Sequence, residues 1–160
     1  SDEYVFGTEP AAFLVRHAHL LEPGATALVV ADGEGRNSVF LAERGLRVTS
    51  TDISSVGVEK SRRLAAERGV EVDVRIADIL TWDWQPAAYD LVPGYRPEQV
   101  ALGTGGPPDP SHMYTEELLA EAFGHLEVEV LESYDAELRE GAGHAGRSAL
   151  IDLIARKPAT

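Results

Sequence analysis

The 160-residue sequence contains no cysteine, so neither a disulfide framework nor a thiolate zinc site can be built, and thiol content says nothing of the redox compartment. Basic charge is scarce. Fourteen Lys and Arg stand against 27 Asp and Glu, a formal net charge of -13 at pH 7. No Lys/Arg cluster is present that could track a phosphate backbone, which argues against nucleic acid and against an anionic membrane surface as partners. Long apolar runs are also missing: none approaches membrane-spanning length, and charges interrupt the first apolar helix, so residues 1 to 20 do not read as a signal peptide. A cytoplasmic protein is the expectation, built as a single domain over residues 1–160. The 44% hydrophobic content is enough for a real core.

What is there alternates between strand and helix. Pro10 is followed by Phe13, Leu14, His17, Leu20 and Leu21 at helical spacing, closed by Pro23 and Gly24. "ATALVVA" (25 to 31) is a short unbroken apolar run of the kind buried on both faces of a parallel sheet. Asn37 is placed to cap a helix through Arg44, with Gly45 beyond its end. "LRVTSTD" (46 to 52) is a second strand, Ser55 is placed to cap a helix through Arg68, and "VEVDVRIAD" (70 to 78) is a third strand. This β-α-β-α-β order predicts an α/β fold: a Rossmann-like, doubly wound, mostly parallel sheet. "YDLV" (89 to 92) opens a fourth strand, which the five prolines and four glycines of residues 93 to 110 should stop. A helix from Thr115 and two strand-like segments, "LEVEVLESYD" and "SALIDLIARK", then predict a C-terminal antiparallel hairpin. A further βαβ crossover would take about 30 residues or more. None is visible between Val92 and Thr115, so one helix-strand unit is expected to be absent after Val92.

The chemistry concentrates in "ADGEGRN" (31 to 37), where the first strand meets the next helix. Glycines at the carboxyl end of a first parallel strand let backbone approach a ligand, and the following helix offers free N–H groups. Gly33 and Gly35 fit that role. Asp52 lies 19 residues beyond Gly33, at the end of the next strand, where a carboxylate can accept hydrogen bonds from ribose hydroxyls. Asp78, with Ile79 beside it, ends the third strand and can receive an adenine amino group while the apolar neighbour covers the ring. Taken singly, the glycines make a turn and the aspartates cap helices; three consecutive strand ends favour an adenosine cofactor. The dinucleotide pattern G-x-G-x-x-G would need glycine at position 38, which is Ser38. Glu34 would repel a pyrophosphate and suit a cationic amino group or sulfonium. S-adenosylmethionine is the cofactor that this combination predicts.

These residues resemble the class I S-adenosylmethionine-dependent methyltransferases, and within them the tellurite-resistance and thiopurine-type small-molecule group. The resemblance runs through "EYVFGTEPAAFL", "ADGEGRNSVFLAERGLRVTSTDIS", "ADI", "GYRPEQVALGTGGPPDP" and "GHAGRSALIDLIARKP". It implies that Gly33 and Gly35, with Arg36 and Asn37, border the methionine part of the cofactor. By the same resemblance Asp52 with Ile53 holds the ribose and Asp78 with Ile79 the adenine. The family pattern places an acid and a glycine where this chain has Val29 and Ala31, which leaves Asp32 or Glu34 to meet the ammonium group. "YDLV" joins "PGYRPEQ" directly, where the family has a helix and a fifth strand between them.

Substrate contacts are expected from Tyr4 and Phe6, in a segment that resembles a lid, and from Tyr95, His112 and Tyr114 in or beside the Pro/Gly-rich loop. Trp82 and Trp84 are placed to flank the adenine side, though aromatic packing at a strand edge is the commoner reading, and His144 reads as a solvated residue of the hairpin turn, with a general base as the alternative. His17 and His19, two apart on a helix, do not make a metal pair, and no metal is expected. The predicted activity is methyl transfer to a small-molecule acceptor, in particular a soft sulfur, selenium or tellurium nucleophile. A non-catalytic module that binds S-adenosylmethionine or S-adenosylhomocysteine, and an NAD-binding oxidoreductase, are the rival readings.

Overall fold

The computed structural model describes residues 2–78, 81, 83, 89–105, 109–140 and 144–158. Ile79, Trp82 and Trp84 lie outside the described residues, as do the side chains of His112 and His144. The elements run in the order α1 (Ala12–His17), β1 (Thr26–Val30), α2 (Arg36–Glu43), β2 (Arg47–Asp52), α3 (Ser55–Arg68), β3 (Val72–Ile76) and β4 (Tyr89–Tyr95). They continue with α4 (Gln99–Leu102), α5 (Glu116–Phe123), β5 (Glu127–Glu140) and β6 (His144–Arg156). The six strands are ordered β3-β2-β1-β4-β6-β5. β1 pairs in parallel with β2 and β4, β2 pairs in parallel with β3, and β5 pairs antiparallel with β6. This is the Rossmann-like, mostly parallel sheet with a closing hairpin that the alternation predicts.

The chain divides into two compact units, Ser1–Tyr4 with Thr8–Leu91, and Val5–Gly7 with Val92–Thr160. In the first, Ala27, Leu28, Val29 and Val30 are all buried, which is why β1 is an unbroken apolar run rather than an alternating one. Val29, where the family resemblance places an acid, faces no solvent and lies opposite Ser50 and Leu91 in the flanking strands. α3 buries Gly57, Val58, Lys60, Ser61, Leu64 and Ala65, a stripe at helical spacing that contains one lysine. In the second unit, Gln99 is fully buried and both ends of its side-chain amide are hydrogen-bonded. Its Oε1 accepts from the Ala149 amide at 2.7 Å, and its Nε2 donates to Thr104 Oγ1 at 3.0 Å and to the Gly105 carbonyl at 2.9 Å.

Several local expectations are corrected. Asn37 does not cap α2: the cap is Gly35, held left-handed at φ 91°, and the Asn37 side chain instead accepts from the Ala11 amide at 2.9 Å. The cap of α3 is Ser54, whose hydroxyl accepts from the Gly57 amide at 3.1 Å; Ser55 is the first helical residue. The first helix tightens into a 3-10 turn at Ala18–Leu20. Prolines do not stop β4 at Val92. Its ladder with β1 ends at Leu91, so the missing N–H of Pro93 interrupts none of those bonds and the strand runs on to Tyr95. α4 follows within four residues, and residues 89–102 hold no further helix-strand unit. Among the described residues, no helix is long and apolar enough to cross a membrane.

A one-residue difference in cap position is measurable. Ser54→Ala should cost about 1 kcal/mol in urea unfolding, while Ser55→Ala should change stability by less than about 0.5 kcal/mol.

Candidate functional site

The first unit brings the carboxyl ends of β1 and β2 together through one side chain. The Gly33 amide donates to Asp52 Oδ2 at 2.8 Å, and Oδ1 of the same carboxylate accepts from the Ser54 amide at 2.8 Å. Asp52 thus ties the loop after β1 to the start of α3. The Asp32 amide reinforces the link by donating to the Thr51 carbonyl at 3.0 Å. Two close approaches seat the loop against α3. A Cβ on Gly35 would lie 2.2 Å from Ser61 Oγ and 2.7 Å from Ser61 Cα, and a Cβ on Gly57 would lie 2.8 Å from the Gly33 carbonyl oxygen. Gly35 therefore has a packing reason to be glycine as well as a conformational one.

Ala31, at the first loop position, has φ 52°, a left-handed conformation that costs a residue with a Cβ roughly 1–2 kcal/mol. Strain at the mouth of a ligand loop is a common mark of function. Asp32, Glu34 and Asn37 are buried, while Gly33 and Arg36 are half-buried. The two loop carboxylates differ in environment. Glu34 Oε1 receives Lys60 Nζ at 2.6 Å, and the same ammonium donates to the Glu3 carbonyl at 2.6 Å. The free anion expected at Glu34 is thereby neutralised, and it no longer argues by itself against a pyrophosphate. Both carboxylate oxygens of Asp32 are enclosed in the protein, beside the Ser38 hydroxyl and amide. Burial, opposed by the neighbouring Ser38 hydroxyl and amide, pushes its carboxyl up to about 7, and the Ser38 hydroxyl is itself directed to the Gly35 carbonyl at 3.1 Å. Asp52 raises and Arg36 lowers it further.

At the next strand ends, Ile53 is 70% exposed beside Asp52, an apolar surface offered to solvent. Asp78 is half-buried just beyond β3, its carbonyl accepting from the Thr81 amide at 3.0 Å. Tyr4 packs on the cluster of Val39, Leu64 and Ala65, accepts from Arg63 Nε at 3.2 Å and lies 5.0 Å beneath that guanidinium. Its ring is thus engaged by α3. Phe6, Tyr95 and Tyr114 belong to the second unit, all half-buried. There the Tyr114 amide donates to the Tyr95 carbonyl at 2.9 Å, and the Tyr114 ring occupies the space where a Gly94 side chain would sit. Burial raises the Tyr114 hydroxyl above its ordinary value. Among the described residues, no group of three or more His, Cys, Asp or Glu could hold a metal ion.

Lys60, Ser61 and Gly57 support the loop, and motif spacing in the sequence does not single them out. A lysine inside the apolar stripe of α3 is the one signal that pointed to them.

A glycine loop tied to an acid at the end of the next parallel strand is the arrangement that nucleotide-type cofactors use in open α/β sheets. The fold is the Rossmann-like one of S-adenosylmethionine-dependent methyltransferases. Residues 27–96 match the model of a methyltransferase-domain family. TehB from Haemophilus influenzae is similar in structure with a TM-score of 0.68 at 18% identity, over 92% of this chain and 62% of that chain. An S-adenosylmethionine-dependent methyltransferase from Methanosarcina mazei gives 0.62 at 14% identity, over 95% of this chain and all of that one. Magnesium protoporphyrin IX methyltransferase from Synechocystis PCC 6803, with bound S-adenosylhomocysteine, gives 0.60 at 15% identity, over 92% and 79%. The chain spans less than two thirds of the length of TehB. No curated protein sequence matches it.

Two measurements test the loop. Lys60→Met strands a buried Glu34 and should cost about 3–5 kcal/mol in denaturant unfolding, most of which the double variant Lys60→Met/Glu34→Leu should recover. Ala31→Gly removes the left-handed strain and should raise stability by about 1 kcal/mol.

Proposed function

We propose that this chain binds S-adenosylmethionine and transfers its methyl group to a small-molecule acceptor, in the cytoplasm and within a single domain. The observation that carries this reading is the Asp52 carboxylate, which ends β2 and grips the Gly33 amide of the loop that ends β1. Each carboxylate oxygen keeps lone-pair capacity beyond its single backbone bond, and that capacity suits vicinal ribose hydroxyls. Exposed Ile53 next to it is assigned to the ribose with Asp52, and Asp78 is assigned to the adenine amino group, with Ile79 as the apolar neighbour that covers the ring. The residues from Ala31 to Asn37, namely Ala31, Asp32, Gly33, Glu34, Gly35, Arg36 and Asn37, would border the amino-acid end. Bound there, the cofactor supplies a sulfonium-activated methyl electrophile.

This chain's residues then have to align an acceptor in line with the methyl and exclude water. A soft sulfur, selenium or tellurium nucleophile is the acceptor class that we favour, because it reacts without a general base. Tyr4, Phe6, Tyr95, His112 and Tyr114 are the residues that we assign to acceptor binding.

Isothermal titration calorimetry checks the cofactor. Heat is expected with S-adenosylmethionine and none with NADH, and Asp52→Ala should weaken binding by about tenfold or more. Release of S-adenosylhomocysteine on adding a thiol or selenol acceptor separates an enzyme from a binding module; cofactor binding without turnover on any such acceptor would leave only the module.

A further inference from the structure

Three polar side chains of the loop after β1 and the first turn of α2 are bonded to one stretch of this chain's own backbone, the residues before α1. Glu34 reaches it through Lys60: the ammonium that pairs with Glu34 Oε1 at 2.6 Å also donates to the Glu3 carbonyl at 2.6 Å. Arg36 Nη1 donates to the Glu9 carbonyl at 3.4 Å, and Asn37 Oδ1 accepts from the Ala11 amide at 2.9 Å. A further hold comes from α3, where Arg63 Nη2 donates to the Asp2 carbonyl at 2.5 Å and Nε to the Tyr4 hydroxyl at 3.2 Å. No residue from 2 to 11 is itself buried. The segment is thus attached by hydrogen bonds more than by a core, and an attachment of that kind opens at low cost. Glu34 and Asn37, by contrast, are buried, so the conformation of the loop decides whether their side chains meet the segment.

Resting on the cofactor reading given above, we propose that residues 2–11 form a strap whose seating is coupled to the ligand-binding conformation of the 31–37 loop, with Glu34, Arg36, Asn37, Lys60 and Arg63 as positioning residues. Lys60 is the joint. Holding the loop in place gives its ammonium one acceptor and seating the strap gives it the other, so each event favours the other. A ligand that fixes the loop through Asp52 and the Gly33 amide therefore closes the strap, and the closed strap slows the ligand's departure. The family resemblance sets Arg36 and Asn37 against the methionine part of the cofactor; the geometry assigns their side chains to the strap.

The test combines amide hydrogen exchange of residues 2–11, with and without saturating S-adenosylmethionine, with binding kinetics of the wild-type chain, Arg63→Ala, Asn37→Ala and Arg62→Ala. Arg62 is the control, because it neighbours Arg63 on α3 but bonds Glu59 and the Val74 carbonyl. In the wild type, S-adenosylmethionine should slow exchange of the Ala11 amide and its neighbours about tenfold. Arg63→Ala and Asn37→Ala should speed that exchange and raise the dissociation rate of S-adenosylmethionine about five- to tenfold, with association changed less than about twofold. Arg62→Ala should alter neither. Both strap variants should weaken 5′-methylthioadenosine, which lacks the amino-acid end, by the same factor as S-adenosylmethionine. Exchange that ligand leaves unchanged, or a loosened strap with unaltered dissociation, would overturn the coupling. A loss in Asn37→Ala confined to S-adenosylmethionine would mean direct contact with the amino-acid end and sink the positioning role. The exchange measurement on the wild type needs no variant, so a substitution that prevents folding leaves the proposal refutable. Failure of the wild type to bind either ligand would instead overturn the cofactor reading itself.

Discussion

The first unit depends on how closely α3 lies against the loop that leaves β1. Position 35 has room only for hydrogen, because Ser61 occupies the space a side chain would need, and Gly57 is equally confined by the Gly33 carbonyl. With the loop pressed onto α3, Glu34 is carried into a buried environment and must find a counter-charge, which Lys60 supplies from the helix itself. The same ammonium reaches the Glu3 carbonyl, and Arg63 engages Tyr4, so that one face of α3 organises both the loop and the segment before α1. Packing comes first here, and the electrostatics of the loop follow from it.

That constraint divides the loop's acids by role. Glu34 is held by a structural ion pair, of the kind whose worth lies mainly in the penalty for breaking it. Asp32 is buried with no ion-pair partner at hand, its carboxyl pushed up to about 7 by that burial, and the adjoining Ala31 is strained. Cost concentrated on two neighbouring residues, with regular packing in β1 just before them, is what a ligand site would produce: local rules broken where function requires it and obeyed elsewhere.

Periodicity made most of the fold legible. The apolar run of β1, the β-branched β2 and the alternating hairpin strands each announce their burial, since a strand enclosed on both faces has no reason to alternate. The candidate site was legible for the same reason, because glycines and acids at consecutive strand ends occur at set intervals along the chain. Cap positions were less so. Asn37 and Ser55 are both good capping residue types, yet the caps are Gly35 and Ser54, because a backbone turn at φ 91° and a hydroxyl one residue earlier met the helix amides first. The sequence predicts a shorter β4 because prolines end strands that must donate on both sides. Pro93 lies past the end of its β1 ladder, where no such donation is required.

By itself, the sequence determined the alternation of strands and helices, the closing hairpin and the run of glycine and acid at three strand ends, all of which follow from local spacing along the chain. Tertiary structure alone decided which of the two loop acids is paired with a cation. Lys60 is 26 residues from Glu34 and becomes its partner only when α3 docks on the loop, and the burial that leaves Asp32 without one is likewise a property of the packed unit. Charge is written in the sequence, but its compensation depends on distance and on water, and folding sets both.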